Sequence, residues 1–136
     1  MQDQKFFLPI RVYYQDTDAG GVVYHATHLH FLERARYEWL RHLGYGVHEL
    51  LNAYQAQFMI RSLEIEYLKP AVLDDLLHVT VEVVEMGRSR ISLFQEIACN
   101  ETLLAKATVC AVCVDTESFK PMSIPIPLRD KIEIPI

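Results

Sequence analysis

The sequence lacks any long apolar run. A membrane-spanning helix needs about 18 or more consecutive apolar residues, and no stretch approaches that length. The opening segment MQDQKFFLPIRVYY also has no apolar core behind a basic segment, which a secretory signal peptide would require. We therefore expect a cytoplasmic protein with no leader and no transmembrane segment.

Clustered basic residues are also absent. The formal net charge is -5, and lysine and arginine are scattered along the chain except at Arg88 and Arg90. Nucleic-acid-binding proteins usually carry a clustered basic face, so this distribution argues against a nucleic-acid partner. The pair Arg88 and Arg90 is still compatible with binding of a small anionic ligand.

Cysteine is scarce and odd in number. Two of the three cysteines, Cys110 and Cys113, have the spacing of a C-x-x-C redox motif. Both fall in a predicted strand, where positions three apart point to opposite faces. We therefore expect them to be structural.

What the sequence does contain is enough apolar material for one globular domain. The 136 residues are 51 % hydrophobic and 23 % charged, an ordinary balance for a folded domain of this length. There is no internal repeat and no linker, so we expect a single domain over residues 1–136.

Hydrophobic periodicity predicts one long helix and five strands. Apolar residues recur at helical spacing from Leu29 to Leu43, Gly44 stands where a helix commonly ends, and Val47 to Tyr54 suggests a short second helix. The predicted strands are Phe6–Tyr14, Ser62–Tyr67, Leu77–Val83, Arg90–Ile97 and Leu103–Val114. Irregular structure is expected for the tail, which contains Pro121, Pro125, Pro127 and Pro135.

The order of these elements predicts an α+β fold. A strand, a helix and then four strands joined by short turns favour a five-stranded antiparallel sheet with one long helix on one face. Pro9 suits an edge strand. One helix cannot cover five long strands, and Leu103–Val114 is apolar on both faces. We therefore expect a second subunit on the uncovered face, in a dimer or a higher oligomer.

Residues suited to chemistry concentrate in the segment Arg11–Arg36. Gly20 and Gly21 lie between Asp18 and the predicted helix and permit backbone conformations closed to other residues. The start of a helix presents unpaired N–H groups and favours negative charge, and Asp16 and Asp18 place carboxylates beside it. A carboxylate facing such donors is half of an acyl-transfer site. The alternative is an ordinary turn or helix cap.

The same segment carries a resemblance that extends over nearly the whole chain. The matching positions are Tyr14, Asp16, Thr17, Asp18, Gly21, Val22, Val23, Tyr24 and His25, then Glu33, Ala35 and Arg36, then Glu66, Tyr67, Pro70, Ala71, Leu73, Asp74 and Asp75, and finally Cys113, Val114, Asp115, Lys120 and Pro121. This pattern resembles the hotdog-fold acyl-CoA thioesterases of the 4-hydroxybenzoyl-CoA thioesterase type. Within them it is most similar to the YbgC branch, which is linked with the Tol-Pal system of Gram-negative bacteria.

The resemblance implies a sheet that wraps the helix, active sites at a dimer interface, and often a homotetramer built from two dimers. It implies hydrolysis of acyl-CoA to free acid and CoA, and we expect no cofactor. Asp18 would be the catalytic carboxylate, either as general base on water or as nucleophile through an acyl-enzyme anhydride.

Further roles follow from the matching positions. Backbone N–H groups near Tyr24 and His25 would bind the oxyanion, and Gly21 would keep the approach open to substrate. The His25 side chain would orient the carbonyl or the water, or stand as a plain surface group.

Substrate binding is implied for the turn after Gly87. Arg88, Ser89 and Arg90 would bind the CoA nucleotide, because guanidinium groups suit phosphates, or they would remain solvated turn residues. His28 departs from the branch, which often has an aromatic residue, usually tyrosine, at that position. If this side chain lines the acyl pocket, we expect a different acyl preference.

Two rival assignments stay open at the site. Glu33 is an alternative catalytic carboxylate, ranked behind Asp18 because only Asp18 has the glycine loop and the helix start beside it. A metal site would use His25 and His28 with a loop aspartate, but this open spacing differs from the compact motifs that metals usually show.

The rival class of function is a binding module. Such an oligomer would hold acyl-CoA or acyl carrier protein with little turnover, docking through Arg88 and Arg90. A pure binder has no need of a carboxylate beside the thioester, so Asp18 favours a hydrolase; a dehydratase is the weaker enzyme alternative. The acyl chain stays open, because pocket depth depends on how Trp39, Phe58, Met59 and Tyr67 pack.

Overall fold

One antiparallel sheet of five strands forms the scaffold in the computed structural model, which describes residues 6–132. The strands are β1 (Phe6–Arg11), β2 (Ala56–Tyr67), β3 (Leu76–Met86), β4 (Arg90–Cys99) and β5 (Thr102–Asp115), in the spatial order β1-β3-β4-β5-β2. Every neighbouring pair is antiparallel. The predicted α+β architecture is confirmed, and Pro9 does lie in an edge strand.

Three helices accompany the sheet in the described part of the chain. They are α1 (Thr27–His42), α2 (Val47–Tyr54) and α3 (Ile126–Lys131). The long helix ends as predicted, because Gly44 has φ +91° and its N–H bonds Arg41 O at 2.9 Å, a left-handed stop that favours glycine. No helix among the described residues has both the length and the apolar character needed to cross a bilayer.

The core lies between α1 and one face of the sheet. Helix residues spaced by one, three and four positions are buried there, namely Phe31, Leu32, Ala35 and Trp39. The alternation predicted for β3 is confirmed, since Leu77, Val79, Val81 and Val83 are all buried. On β5 the opposite face keeps Lys106 and Thr108 exposed, so one side of the sheet faces away from the helix. The subunit expected on that side remains a prediction.

Several predicted boundaries were wrong. The first strand ends at Arg11 rather than Tyr14, because Tyr14–Asp16 forms a tight 3-10 turn. Strand β2 begins at Ala56 rather than Ser62, since it pairs with β5 from Ala105 to Asp115. A register shift at Ile60/Ser62 hides its alternation.

The tail also differs from its prediction. It contains the helix α3, with Pro127 in the first turn, where a missing N–H costs nothing. Pro135 lies outside the described residues.

Strand register gives the sheet two distinct ends. Arg11 pairs with Leu76, Leu77 with Cys99, and Cys99 with Thr102, so these positions share one end, here called the loop end. Met86 and Ile91 pair at the opposite end, here called the hairpin end. The 11 residues of β3 separate the two ends by about 30 Å, at about 3.3 Å per residue.

Candidate active site

The segment that precedes α1 is fastened to the loop end of the sheet. The N–H of Val12 bonds Asp75 O at 2.9 Å, and the N–H of Asp74 bonds Val12 O at 3.0 Å. Further along, Val23 donates to Ala71 O at 2.9 Å. These backbone bonds hold both sides of the loop at residues 13–22 against the rest of the fold.

The two loop aspartates have different surroundings. Asp16 is buried, and its Oδ2 accepts the N–H of Tyr13 at 2.8 Å, so it holds the 3-10 turn. Asp18 is exposed, and its Oδ1 accepts the N–H of Gly20 at 2.8 Å. Its Oδ2 accepts no hydrogen bond from the described residues. The turn-or-cap alternative therefore accounts fully for Asp16 and only for one oxygen of Asp18.

Both glycines contribute to this loop, in different ways. Gly21 has φ +83°, a conformation that favours glycine, and an added Cβ would meet nothing within 4 Å. At Gly20 an added Cβ would lie 3.2 Å from Asp18 Oδ1, tighter than ordinary contact. The absence of a side chain at Gly20 therefore lets the Asp18 carboxylate lie over the turn.

The free backbone donors are displaced by one residue from their predicted position. The N–H of Tyr24 bonds Asp16 O at 3.1 Å and is already used. The helical bonds begin with the N–H of Thr27, which bonds Tyr24 O at 2.9 Å. Between them, the N–H groups of His25 and Ala26 have no partner among the described residues. Two adjacent donors therefore stand at the start of α1.

His28 and Tyr67 fix the backbone that carries these donors. The side chain of His28 is 4 % exposed, and its Nδ1 lies 3.1 Å from His25 O and 3.3 Å from Tyr24 O. The hydroxyl of Tyr67 donates to His25 O at 2.7 Å. The rings of Tyr67 and His28 meet edge to face, with their centroids 5.0 Å apart. Burial lowers the pKa of His28, which favours a neutral imidazole that donates from Nδ1.

The His25 side chain is exposed beside two tyrosines. Its ring centroid lies 4.4 Å from that of Tyr24 and 6.4 Å from that of Tyr67. The side chain therefore lies next to its own N–H donor, at the surface of the same cluster.

The predicted nucleotide-binding residues lie at the opposite end of the sheet. Arg88 is exposed on the turn between β3 and β4, Arg90 is exposed at the first position of β4, and the described residues give neither side chain an ion pair. The backbone oxygen of Ser89 accepts the N–H of Cys113 at 2.7 Å. Because β3 separates them from the loop end by about 30 Å, one chain does not bring these residues to Asp18.

A separate cavity of about 240 Å³ lies between α1, α2 and the sheet. Its lining includes Trp39 and Phe58 but neither Asp18 nor His25, and Met59 is exposed elsewhere on β2. Glu33 also borders this cavity, two helical turns beyond His25, or about 12 Å along the helix axis. The rival carboxylate therefore lies apart from the glycine loop.

The remaining candidates are placed as follows. Cys110 and Cys113 are both free and lie on opposite faces of β5, as predicted. Burial raises the pKa of Cys113 to about 11, which makes it a poor nucleophile. Among residues 6–132 no group of three or more His, Cys, Asp or Glu side chains suits a metal ion.

The sequence did not predict how Ala26, His28 and Tyr67 come together at the start of α1. Tyr67 contacts a carbonyl 42 positions away along the chain, which no local pattern indicates. His28 was considered only as a side chain that would alter the acyl preference if it lined the acyl pocket, and the structure buries it against its own helix start. Its spacing of three and four residues from His25 and Tyr24 was the one available signal.

Comparison with known proteins gives a consistent result. The family model for the thioesterase-like superfamily matches residues 12–132. The acyl-CoA thioesterase YbgC of Haemophilus influenzae is 49 % identical over 125 residues, which cover 92 % of each chain. The acyl-CoA thioester hydrolase YbgC of Escherichia coli is 44 % identical over 126 residues, 92 % of this chain and 93 % of the relative.

A solved structure supports the same assignment. The probable thioesterase from Bartonella henselae superposes with a TM-score of 0.86 at 34 % identity, over 90 % of this chain and all of the other. The resemblance and the hotdog fold predicted from the sequence are thereby confirmed. This chain belongs to the thioesterase-like superfamily.

Proposed function

We propose that the chain is an acyl-CoA thioesterase whose reaction takes place at the start of α1. The observation that carries the proposal is the exposed Asp18 carboxylate on a glycine turn, in the same loop-end segment as two adjacent backbone N–H groups that have no partner within residues 6–132. Relatives named as acyl-CoA thioesterases support the reaction class.

The N–H groups of His25 and Ala26 serve as the oxyanion donors. When a nucleophile attacks the thioester carbon, the carbonyl oxygen becomes negative, and the N-terminal end of α1 stabilises that charge. The two groups take the role assigned from the sequence to the backbone near Tyr24 and His25.

Asp18 acts through its carboxylate in one of two ways. As a general base, it removes a proton from a water molecule that attacks the carbon, and the tetrahedral intermediate then expels the CoA thiolate. As a nucleophile, it forms an anhydride with loss of the thiolate, and water then hydrolyses the anhydride. In both routes water supplies the oxygen of the acid and the proton of the thiol. The His25 side chain orients the carbonyl or the water.

Substrate binding requires more than one copy of the chain. Arg88, Ser89 and Arg90 bind the CoA nucleotide only if a neighbouring subunit brings its hairpin end to the loop end of the first. Exposed apolar side chains on the edge strand β2, including Met59 and Ile60, suit a second copy. We therefore propose a homo-oligomer, a dimer or a tetramer, with Gly21 leaving the approach open.

The wider setting stays a prediction. An association with the Tol-Pal system rests on the resemblance alone, whereas the cytoplasmic location and the acyl carrier protein are predictions made from the residues of the sequence. The second candidate function is the binding module, and the exposed Arg88 and Arg90, which form no ion pair within residues 6–132, favour it as a dock for an acidic carrier.

The test is thiol release from short-chain, long-chain and hydroxybenzoyl CoA esters by the wild type and by Asp18→Asn. Asparagine keeps an Oδ1 that accepts the Gly20 N–H, so the loop should stay in place. We expect a loss of at least about 100-fold, or 2.7 kcal/mol of transition-state stabilisation. Glu33→Gln is the matched control and should retain activity.

Each outcome of this assay is informative. Equal rates for wild type and Asp18→Asn would remove Asp18 from its role, and a loss confined to Glu33→Gln would transfer the role to Glu33. No turnover of any CoA ester, with binding retained, would favour the binding module. A pantetheine ester, which lacks the nucleotide, should show a raised KM that Arg88→Ala does not raise further.

A further inference from the structure

We propose that Tyr67 and His28 are positioning residues that fix the two oxyanion donors. The inference rests on the proposed function and adds two side chains to it. Neither touches the reacting atoms in this assignment. Each side chain contacts a backbone carbonyl, and the N–H in the same peptide group as that carbonyl is one of the two oxyanion donors.

Peptide geometry makes the connection. A trans peptide is planar, and its N–H points away from its C=O. The C=O of His25 shares a peptide group with the N–H of Ala26, and the C=O of Tyr24 shares one with the N–H of His25. Fixing these two carbonyls therefore fixes the directions of both free donors.

The carbonyl of His25 is fixed from two sides. Tyr67 Oη donates to it at 2.7 Å from strand β2, and His28 Nδ1 lies 3.1 Å away from within α1. The hydroxyl thus joins the edge of the sheet to the start of the helix. Without it, the first turn of α1 would depend on bonds within its own chain segment.

The carbonyl of Tyr24 is fixed by the helix itself. It accepts the N–H of Thr27 at 2.9 Å, and His28 Nδ1 lies 3.3 Å away. One buried imidazole therefore lies against both carbonyls. Hydrogen bonds to a carbonyl also polarise its peptide group, which makes the N–H on the other side a stronger donor.

Exposure separates positioning from stability at Tyr67. This side chain is 44 % exposed, so water can replace its hydroxyl bond at small cost in folding free energy. An N–H group whose direction is not fixed weakens substrate binding little in the ground state. It weakens stabilisation of the transition state more, because the negative charge on the oxygen is largest there.

The first experiment compares Tyr67→Phe with the wild type in the thiol-release assay. We expect kcat to fall about 10-fold with KM unchanged and the melting temperature within a degree or two, since only the transition state loses its aligned donor. Tyr14→Phe is the matched control, because that tyrosine is 82 % exposed and its hydroxyl makes no hydrogen bond with the described residues. It should behave as the wild type.

His28 allows a test by conservative rescue. Asparagine places an amide N–H near the position of Nδ1, whereas leucine fills similar space with no donor. We expect His28→Leu to lose at least about 10-fold in kcat and His28→Asn to recover most of that loss. Equal losses in both variants would assign His28 to packing alone.

A spectroscopic measurement separates positioning from a structural role. A thioester labelled with ¹³C at its carbonyl is bound to Asp18→Asn, and its stretching frequency is compared with the free ester. Adding Tyr67→Phe should reduce the downward shift. An unchanged shift together with unchanged kcat would overturn the proposal, while a wild type without thioesterase activity would instead overturn the proposed function.

Discussion

Two polar clusters touch α1, and they differ in how completely their hydrogen bonds are used. The first lies in the core, where Gln95 is fully buried. Its amide donates to Leu32 O at 3.2 Å and to Thr80 O at 3.1 Å, and its Oε1 accepts from Arg36 at 2.9 Å. Every group of that side chain has a partner, so the cluster is closed.

The second cluster lies at the start of α1 and is open. Tyr67 and His28 use their donors on the carbonyls of His25 and Tyr24, yet the N–H groups of His25 and Ala26 remain without partners among the described residues. A closed cluster stabilises the fold, whereas an open one keeps donors ready for a ligand. The difference predicts that changes in the first affect stability and changes in the second affect turnover.

The largest effect is expected from Gln95→Leu. Leucine has similar volume but removes the oxygen that accepts the hydrogen bond of the Arg36 guanidinium. That guanidinium is half-buried, and desolvation already lowers the pKa of Arg36. A lost hydrogen bond to a charged group, with carbonyls left unpaired, should cost about 3 kcal/mol in the free energy of unfolding. Urea unfolding measures it, and kcat per folded molecule should stay within about twofold of wild type.

Gln57→Leu provides the control for that variant. This half-buried glutamine lies on strand β2, two strands away from Gln95 in the sheet, borders the cavity, and makes no side-chain hydrogen bond with the described residues. Its replacement should change stability by no more than about 0.5 kcal/mol. If Gln95→Leu instead lowered kcat and left unfolding unchanged, the division between the two clusters would be wrong.

A smaller effect is expected from Gly20→Ala, within the open region. The added Cβ would lie 3.2 Å from Asp18 Oδ1 and should turn the carboxylate away from the reaction. We expect kcat to fall about 10-fold, equivalent to 1.4 kcal/mol, with little change in the melting temperature.

Gly21→Ala is the matched comparison for that change. Its Cβ meets nothing, but φ +83° strains alanine, so we expect a loss of about 1 kcal/mol in stability. Equal losses of activity in both variants, with no loss of stability, would indicate that Gly21 borders the substrate path and that the Asp18 contact is unimportant.

The architecture was predictable because periodicity encodes it. The buried positions Leu77, Val79, Val81 and Val83 repeat with the period of a strand, and Gly44 ends the long helix as expected. Boundaries were less predictable where tertiary pairing decides them. Strand β2 extends back to Ala56 because β5 is long enough to pair with it.

The site was predictable only in its outline. The loop sequence indicates a carboxylate beside a helix start, and the resemblance selects Asp18, but only the structure shows that Asp16 is buried and Asp18 exposed. The predicted donors were the N–H groups near Tyr24 and His25, and the pair lies one residue further on, at His25 and Ala26, because Asp16 O accepts the N–H of Tyr24. Tyr67 and the distant arginines depend on the path of the sheet, which no local spacing contains.

The smallest effect concerns pH and again distinguishes the clusters. Burial lowers the pKa of His28 below its ordinary value of 6.5, so the folded state disfavours the protonated imidazole. The contribution of His28 to the free energy of unfolding is therefore fully present above pH 6.5. It is lost as the pH falls through the lower pKa that His28 has in the folded state. Between pH 7 and 5 the unfolding free energy of the wild type should fall more steeply than that of His28→Asn.

Gln95→Leu should keep the wild-type slope, because its cluster contains no group that titrates in this range. Parallel curves for wild type and His28→Asn would show that His28 takes up a proton as easily in the folded chain as in the unfolded one.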